Sequence, residues 1–158
     1  MLADLIFKSI IALISKFMIK KGGVINLIIG EKYMAWKIQI DPDSGIIQTV
    51  YNGTITVQDV RDQTVEALRL AAGEGSHLFL TDVHNADSGL STLDIHEVPD
   101  QWDELQADQR NKLALVVPEV GKTWRDAQLY ETLCVSRGWK VRVFVQRNSA
   151  IDWLLGVE

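Results

Sequence analysis

From residue 35 onward, apolar positions switch between a period of two and a period near 3.6, the marks of half-buried strands and amphipathic helices. "AWKIQI" (35–40) alternates Trp36, Ile38 and Ile40 and predicts a strand. "DPDSG" (41–45) supplies a turn around Pro42 and Gly45. "IIQTVY" (46–51) returns, so residues 35–51 read as a β-hairpin closed by Asn52-Gly53. Thr56 is placed to cap a helix, with Asp59 three residues on near its positive end. Val57, Val60, Thr64, Leu68 and Ala71 form that helix's apolar face, and Gly73 and Gly75 end it.

The alternation continues to the end of the chain. "HLFLTDV" (77–83) is a short apolar run that suits a buried strand. "STLDIHEVPDQWDEL" (91–105) is helical in part, with Pro99 as a break or a new start. "KLALVVP" (112–118) predicts a second buried strand, and residues 122–137 a helix ended by Gly138. "KVRVFV" (140–145) alternates again, and "SAIDWLLG" (149–156) closes as a helix capped near Asn148 or Ser149. The order ββαβαβαβα implies an α/β fold with a mostly parallel sheet and a hairpin at one edge.

The first 34 residues differ in kind. They hold five lysines (8, 16, 20, 21 and 32) against Asp4 and Glu31, a net of +3, so the rest carries −8 of the total of −5. Leu2, Ile6, Ile10, Leu13 and Phe17 recur at helical spacing, with Asp4, Lys8, Lys16 and Lys20 on another face. Lysines 8 and 16 interrupt a span that would need about 20 apolar residues, and a secretion signal would place its charge first. Three readings stay open: an amphipathic helix on a membrane surface through residues 1–21, a packing or homodimerising extension, and a coding start at Met34. The chain therefore divides into residues 1–34 and a domain over 35–158.

Composition narrows the function classes. At 47% apolar and 23% charged, the chain is an ordinary globular one. A net charge of −5 without a basic block argues against nucleic acid as a partner. A single cysteine, Cys134, excludes an internal disulfide and a cysteine zinc cage, in keeping with a cytoplasmic location.

The stretch "TDVHNADSGLSTLD" (81–94) holds the candidate chemistry. Asp82 falls at the carboxyl end of a predicted strand, where open α/β sheets place ligands. Ser88, Ser91 and Thr92 precede a helix, whose free N–H groups favour an anion or a phosphoryl group. Ser91 with Asp94 also has the spacing of a capping box. His84 and His96 stand twelve residues apart with carboxylates nearby, and nothing in the spacing converges them on a metal. Gly121-Lys122-Thr123 looks like the tail of a phosphate-binding loop, but that motif needs glycine where Val116 stands. Cys134 shares a helical face with Trp124, Ala127 and Tyr130 and reads as a buried apolar thiol. Trp102, in an acidic stretch, reads as core packing or as a partner contact. No Ser-His-Asp order, carboxylate pair or glycine-rich dinucleotide turn appears, so neither enzyme chemistry nor a cofactor is expected.

The runs "IQTVYNGTITVQDV" (47–60), "FLTDVHNADSGLSTLD" (79–94) and "GWKVRVFVQRNSAIDWLL" (138–155), in this order, resemble the SpoIIAA-like group of STAS domains. The group is named for sulfate transporters and anti-anti-sigma factors. The resemblance covers nearly all of residues 35–155. It implies a strand leading into an Asp-Ser-Ser-Gly-Leu pattern whose serine, at a helix N-terminus, is phosphorylated by a partner kinase. This chain has Asp87-Ser88-Gly89-Leu90, one serine short. Carried over, Ser88 is the phosphorylated residue and Asp87 the acid before it. The expected function is a non-catalytic regulatory or protein-interaction module, with a kinase or an anti-sigma-like protein as partner. Related folds carry lipid, so the alternative is a carrier of a small apolar or lipid-like ligand.

Overall fold

A computed structural model describes residues 35–157, together with Ala3 and Ile6. The chain divides into two units, Met1–Tyr33 and Met34–Glu158. The amphipathic extension and the question of Met34 lie outside the described residues.

Strands β1 (Trp36–Ile40) and β2 (Ile47–Tyr51) form the antiparallel hairpin. Asp41 organises its turn: one carboxylate oxygen accepts from the Asp43 N–H at 3.1 Å and the other from the Ser44 hydroxyl at 2.6 Å. Gly45 supplies the positive φ of 71° that the return requires. Beyond the hairpin come β3 (Gly53–Ile55), α1 (Val57–Glu74), β4 (Leu78–Asp82) and β5 (Ala86–Ser88). Then follow α2 (Thr92–Glu97), α3 (Asp100–Glu104), β6 (Lys112–Val116), α4 (Lys122–Ser136), β7 (Lys140–Phe144) and α5 (Arg147–Leu155). The main sheet has five strands in the order β1-β2-β4-β6-β7, parallel except for the hairpin. This is the hairpin-edged, mostly parallel α/β sheet expected from the apolar periodicity.

Alternation along the central strands sorts side chains between two cores. Phe79, Leu113 and Leu115 join Ile47, Ala67, Ala127 and Trp139 on one face of the sheet. Leu80, Ala114 and Val116 join Ala150 and Leu154 on the other. Helices α1 and α4 thus cover one face, and α5 the opposite one.

Four sequence expectations shift. Asn52-Gly53 does not simply close the hairpin: Gly53, at φ 76°, leads straight into β3, which pairs in parallel with β5 as a separate two-stranded sheet. Two three-residue strands leave no periodic signal to read. The buried face of α1 centres on Gln63, Ala67 and Ala71, and Val57 is exposed; a polar residue at the centre of that face hid it from the apolar pattern. The same helix runs through Gly73, and only Gly75 caps it, with φ 66°. Finally, α5 starts at Arg147 behind Gln146 and has no side-chain cap, so neither Asn148 nor Ser149 plays that part. The caps expected at Thr56 and Ser91 are both present as full capping boxes with Asp59 and Asp94.

Candidate functional site

The carboxyl ends of β4 and β6 carry two loops, residues 83–91 and 117–121, that meet at the first turn of α4. The short β3–β5 sheet fixes the first loop. After Ser88 the chain passes so close to β3 that a Cβ on Gly89 would lie 2.7 Å from the Ile55 carbonyl oxygen and from Thr54 Cγ2. The absent side chain lets the Gly89 N–H donate to that same carbonyl at 3.0 Å. Thr123, in the first turn of α4, locks the loop from the other side. Its hydroxyl donates to the Ala86 carbonyl and accepts from the Ser88 N–H, both at 3.1 Å.

This pinning aims the Ser88 side chain at α4. Its hydroxyl donates to Asp126 Oδ2 at 2.5 Å. Lys122 Nζ donates to the same Asp126 oxygen and to the Leu90 carbonyl, each at 2.5 Å, and stands 3.4 Å from Ser88 Oγ. Gly121, at φ 102°, makes the sharp entry to α4 and leaves its N-terminus without a side-chain cap. Lys122 is therefore at the positive end of a 15-residue helix, where a cation is opposed by the dipole. Its partners hold it there against that local preference.

The sequence candidates scatter around this centre. Ser88 lies inside it, although the helix N-terminus it meets belongs to α4 and not to the helix that follows it in sequence. Asp87 is exposed next to it. Ser91 is exposed and occupied as the cap of α2, where its hydroxyl holds the Asp94 carboxyl below the usual range. Thr92 is the exposed first residue of that helix. Asp82 makes different bonds: it accepts from the His84 N–H at 2.9 Å and from Arg147 Nη1 at 3.4 Å, tying β4 to the start of α5. Lys122, Thr123 and Asp126 were not among the candidates. Their signal was the Gly-Lys-Thr triplet after a strand, set aside because the phosphate-loop pattern fails at Val116.

Two strongly exposed apolar side chains border the two loops, Leu93 at 66% and Val120 at 76%. Underneath lies a mostly apolar cavity of about 120 Å³ between α1, α4 and the sheet. Val60, Ala67, Leu68, Phe79, Leu113, Leu115 and Tyr130 line it, and Ser88, Leu90 and Asp126 stand on its wall. Trp102 also lines it; it is buried and donates to Tyr130 Oη at 2.8 Å, so it belongs to the core.

The other candidates show no reactive arrangement. The Cys134 thiol is fully buried, and burial pushes its pKa up to about 12, the opposite of an activated nucleophile. Among the described residues no group of three His, Cys, Asp or Glu side chains is arranged to hold a metal. Nor, among them, is any helix long and apolar enough to cross a membrane.

No protein-family model matches the chain, and no curated protein matches it. Among solved structures it is similar to an uncharacterized protein of the DUF3478 family with a SpoIIAA-like fold, from Shewanella loihica PV-4. The two are 21% identical, with a TM-score of 0.48, over 76% of this chain and 92% of that one. The likeness is one of fold and extends to no site.

Proposed function

We propose that the domain is a non-catalytic interaction module whose partner contact is governed by the state of Ser88. The observation that carries this reading is the Ser88 hydroxyl held between Asp126 and Lys122 at the uncapped N-terminus of α4. A phosphoryl group on Ser88 adds a charge of roughly −1.5 to −2. It would repel Asp126 and attract Lys122 and the free N–H groups of the first turn of α4. Lys122 then exchanges one anion for another, and Asp126 turns outward. The face bordered by Leu93 and Val120 changes both shape and charge, which is what a regulated protein contact needs. Cation and helix dipole are already in place for the modified state, which makes Lys122 intelligible at a position that otherwise disfavours it.

The test is the intact mass of the protein purified from its own source, beside its Ser88→Ala variant. One phosphoryl group on the first and none on the second is expected. A phosphoryl group that persists in the variant sinks the reading. So does its absence in every growth state together with unchanged partner affinity in Ser88→Asp.

The cavity favours a second reading, a carrier of a small apolar ligand. A mostly apolar pocket with a few polar groups is the usual form of a small-molecule site. Under that reading, native mass spectrometry finds an organic adduct on the purified protein.

A further inference from the structure

The cavity has a polar floor whose hydrogen-bonding capacity the domain does not use up. Gln63 and Thr81 each keep 8% of their surface exposed, and both line the cavity. The strand register explains how they come together. Thr49 on β2 stands beside Thr81 on β4 in the parallel pairing, so both side chains point to the same face. Gln63 reaches down from α1 and donates Nε2 to Thr49 Oγ1 at 2.8 Å. Among the described residues, no partner meets Gln63 Oε1 or the Thr81 hydroxyl, and neither is among the fully buried atoms that lack one, so both stay open to the cavity. A polar atom open to such a cavity keeps its water until a ligand group takes that place. Leucine and valine at these positions would have been ordinary core.

We propose that the cavity binds a single-ring, phenol-like ligand whose one hydroxyl lies between Thr81 and Gln63. The proposal rests on the carrier reading above and names its ligand chemistry. Size sets the ring: about 120 Å³ is close to the roughly 150 Å³ of an apolar protein cavity that takes up benzene. A long acyl chain exceeds that volume and would project from the cavity mouth. Polarity sets the substituent: a threonine hydroxyl donates or accepts and an amide oxygen accepts, so a hydroxyl on the ligand satisfies both. Charge sets the exclusion. Among the described residues no lysine or arginine lines the cavity, and the nearest to its wall, Lys122, is already paired with Asp126, so a carboxylate or phosphate inside it would lack a counter-charge.

Calorimetric titration of the full chain with phenol and with benzene tests this. Phenol is expected to bind about tenfold tighter than benzene. In the double variant Thr81→Val, Gln63→Leu, phenol falls to the affinity of benzene while benzene changes by no more than about twofold. Thr81→Val alone is the milder change in case the double variant does not fold; it lowers phenol affinity about threefold. Equal binding of the two probes by the wild type overturns the hydroxyl assignment and leaves the carrier reading standing. Absence of both at millimolar concentration overturns both. A phenol preference that survives in the variants places the site elsewhere and overturns the proposal.

Discussion

Asp126→Asn tests whether the Ser88 centre is built around the Ser88–Asp126 bond or around the ion pair beside it. The bond is 2.5 Å long and its acceptor side chain is 20% exposed. A hydrogen bond to a charged group contributes about 1.5–3 kcal/mol, about twice a neutral one. Replacing the carboxylate by an amide of the same shape keeps a neutral bond, so the loss is about 1 kcal/mol. The ion pair is different. Lys122 precedes Asp126 by four residues, the weaker orientation for an i,i+4 pair, and its side chain is 52% exposed. Such a pair contributes about 0.3–0.5 kcal/mol, and a cation in the first helical turn gives back about the same. Lys122→Met, which also gives up the half-exposed bond to the Leu90 carbonyl, should therefore cost about 0.5 kcal/mol, less than Asp126→Asn. Urea unfolding of each variant measures both differences. Ser88→Ala combined with Asp126→Asn should cost less than the two singles added, because one weakens and the other removes the same bond. If Lys122→Met costs as much as Asp126→Asn, or if the two singles simply add, the centre is an ion-pair device and Ser88 is incidental to it.

Two further predictions concern the frame and the core. Gly89→Ala puts a methyl group 2.7 Å from a backbone oxygen that cannot move without breaking the β3–β5 pairing, which should cost about 1–3 kcal/mol; faster hydrogen exchange at residue 89 would show it, and an unchanged rate with unchanged stability would mean that the strands need no such close approach. Cys134, raised from 9.0 to about 12 by burial, keeps its proton in the folded state. Its contribution is thus complete below pH 9 and is lost as pH rises toward 12; iodoacetamide should label it at pH 8 only as fast as the domain opens, and labelling at the rate of a free thiol would contradict the burial.

The sequence disclosed elements whose signal lies in their own residues. The hairpin was legible because Asp41, Ser44 and Gly45 build the turn among themselves. The caps at Thr56 and Ser91 were legible because each capping box closes within four residues. The Ser88 centre was not, since it joins positions 34 and 38 residues apart. Ser88 stands out in the sequence by its place before a helix start and in the run Asp87-Ser88-Gly89-Leu90; what surrounds it depends on α4 returning beside β5. The small sheet escaped for the same reason, as neither of its strands is long enough to alternate. Gln63 escapes because apolar residues mark the buried face of a helix, and a glutamine there reads as solvent-facing.

Both readings of function converge on one wall. Ser88, Leu90 and Asp126 belong to the half-buried Ser88 centre and also line the cavity. A change that turns Asp126 outward alters the cavity at the same moment, and a ligand that packs against Leu90 and Asp126 alters the setting of Ser88. Two events that bias the same side chains are coupled, and the coupling must be equal in both directions. Partner binding at the Ser88 face should therefore shift phenol affinity by the factor by which phenol shifts partner affinity, and charge at Ser88 should shift phenol affinity as well. If Ser88→Asp leaves phenol binding unchanged, the wall is rigid and the two sites act separately. A shift would make the cavity the sensing half of a single device and the Ser88 face its output.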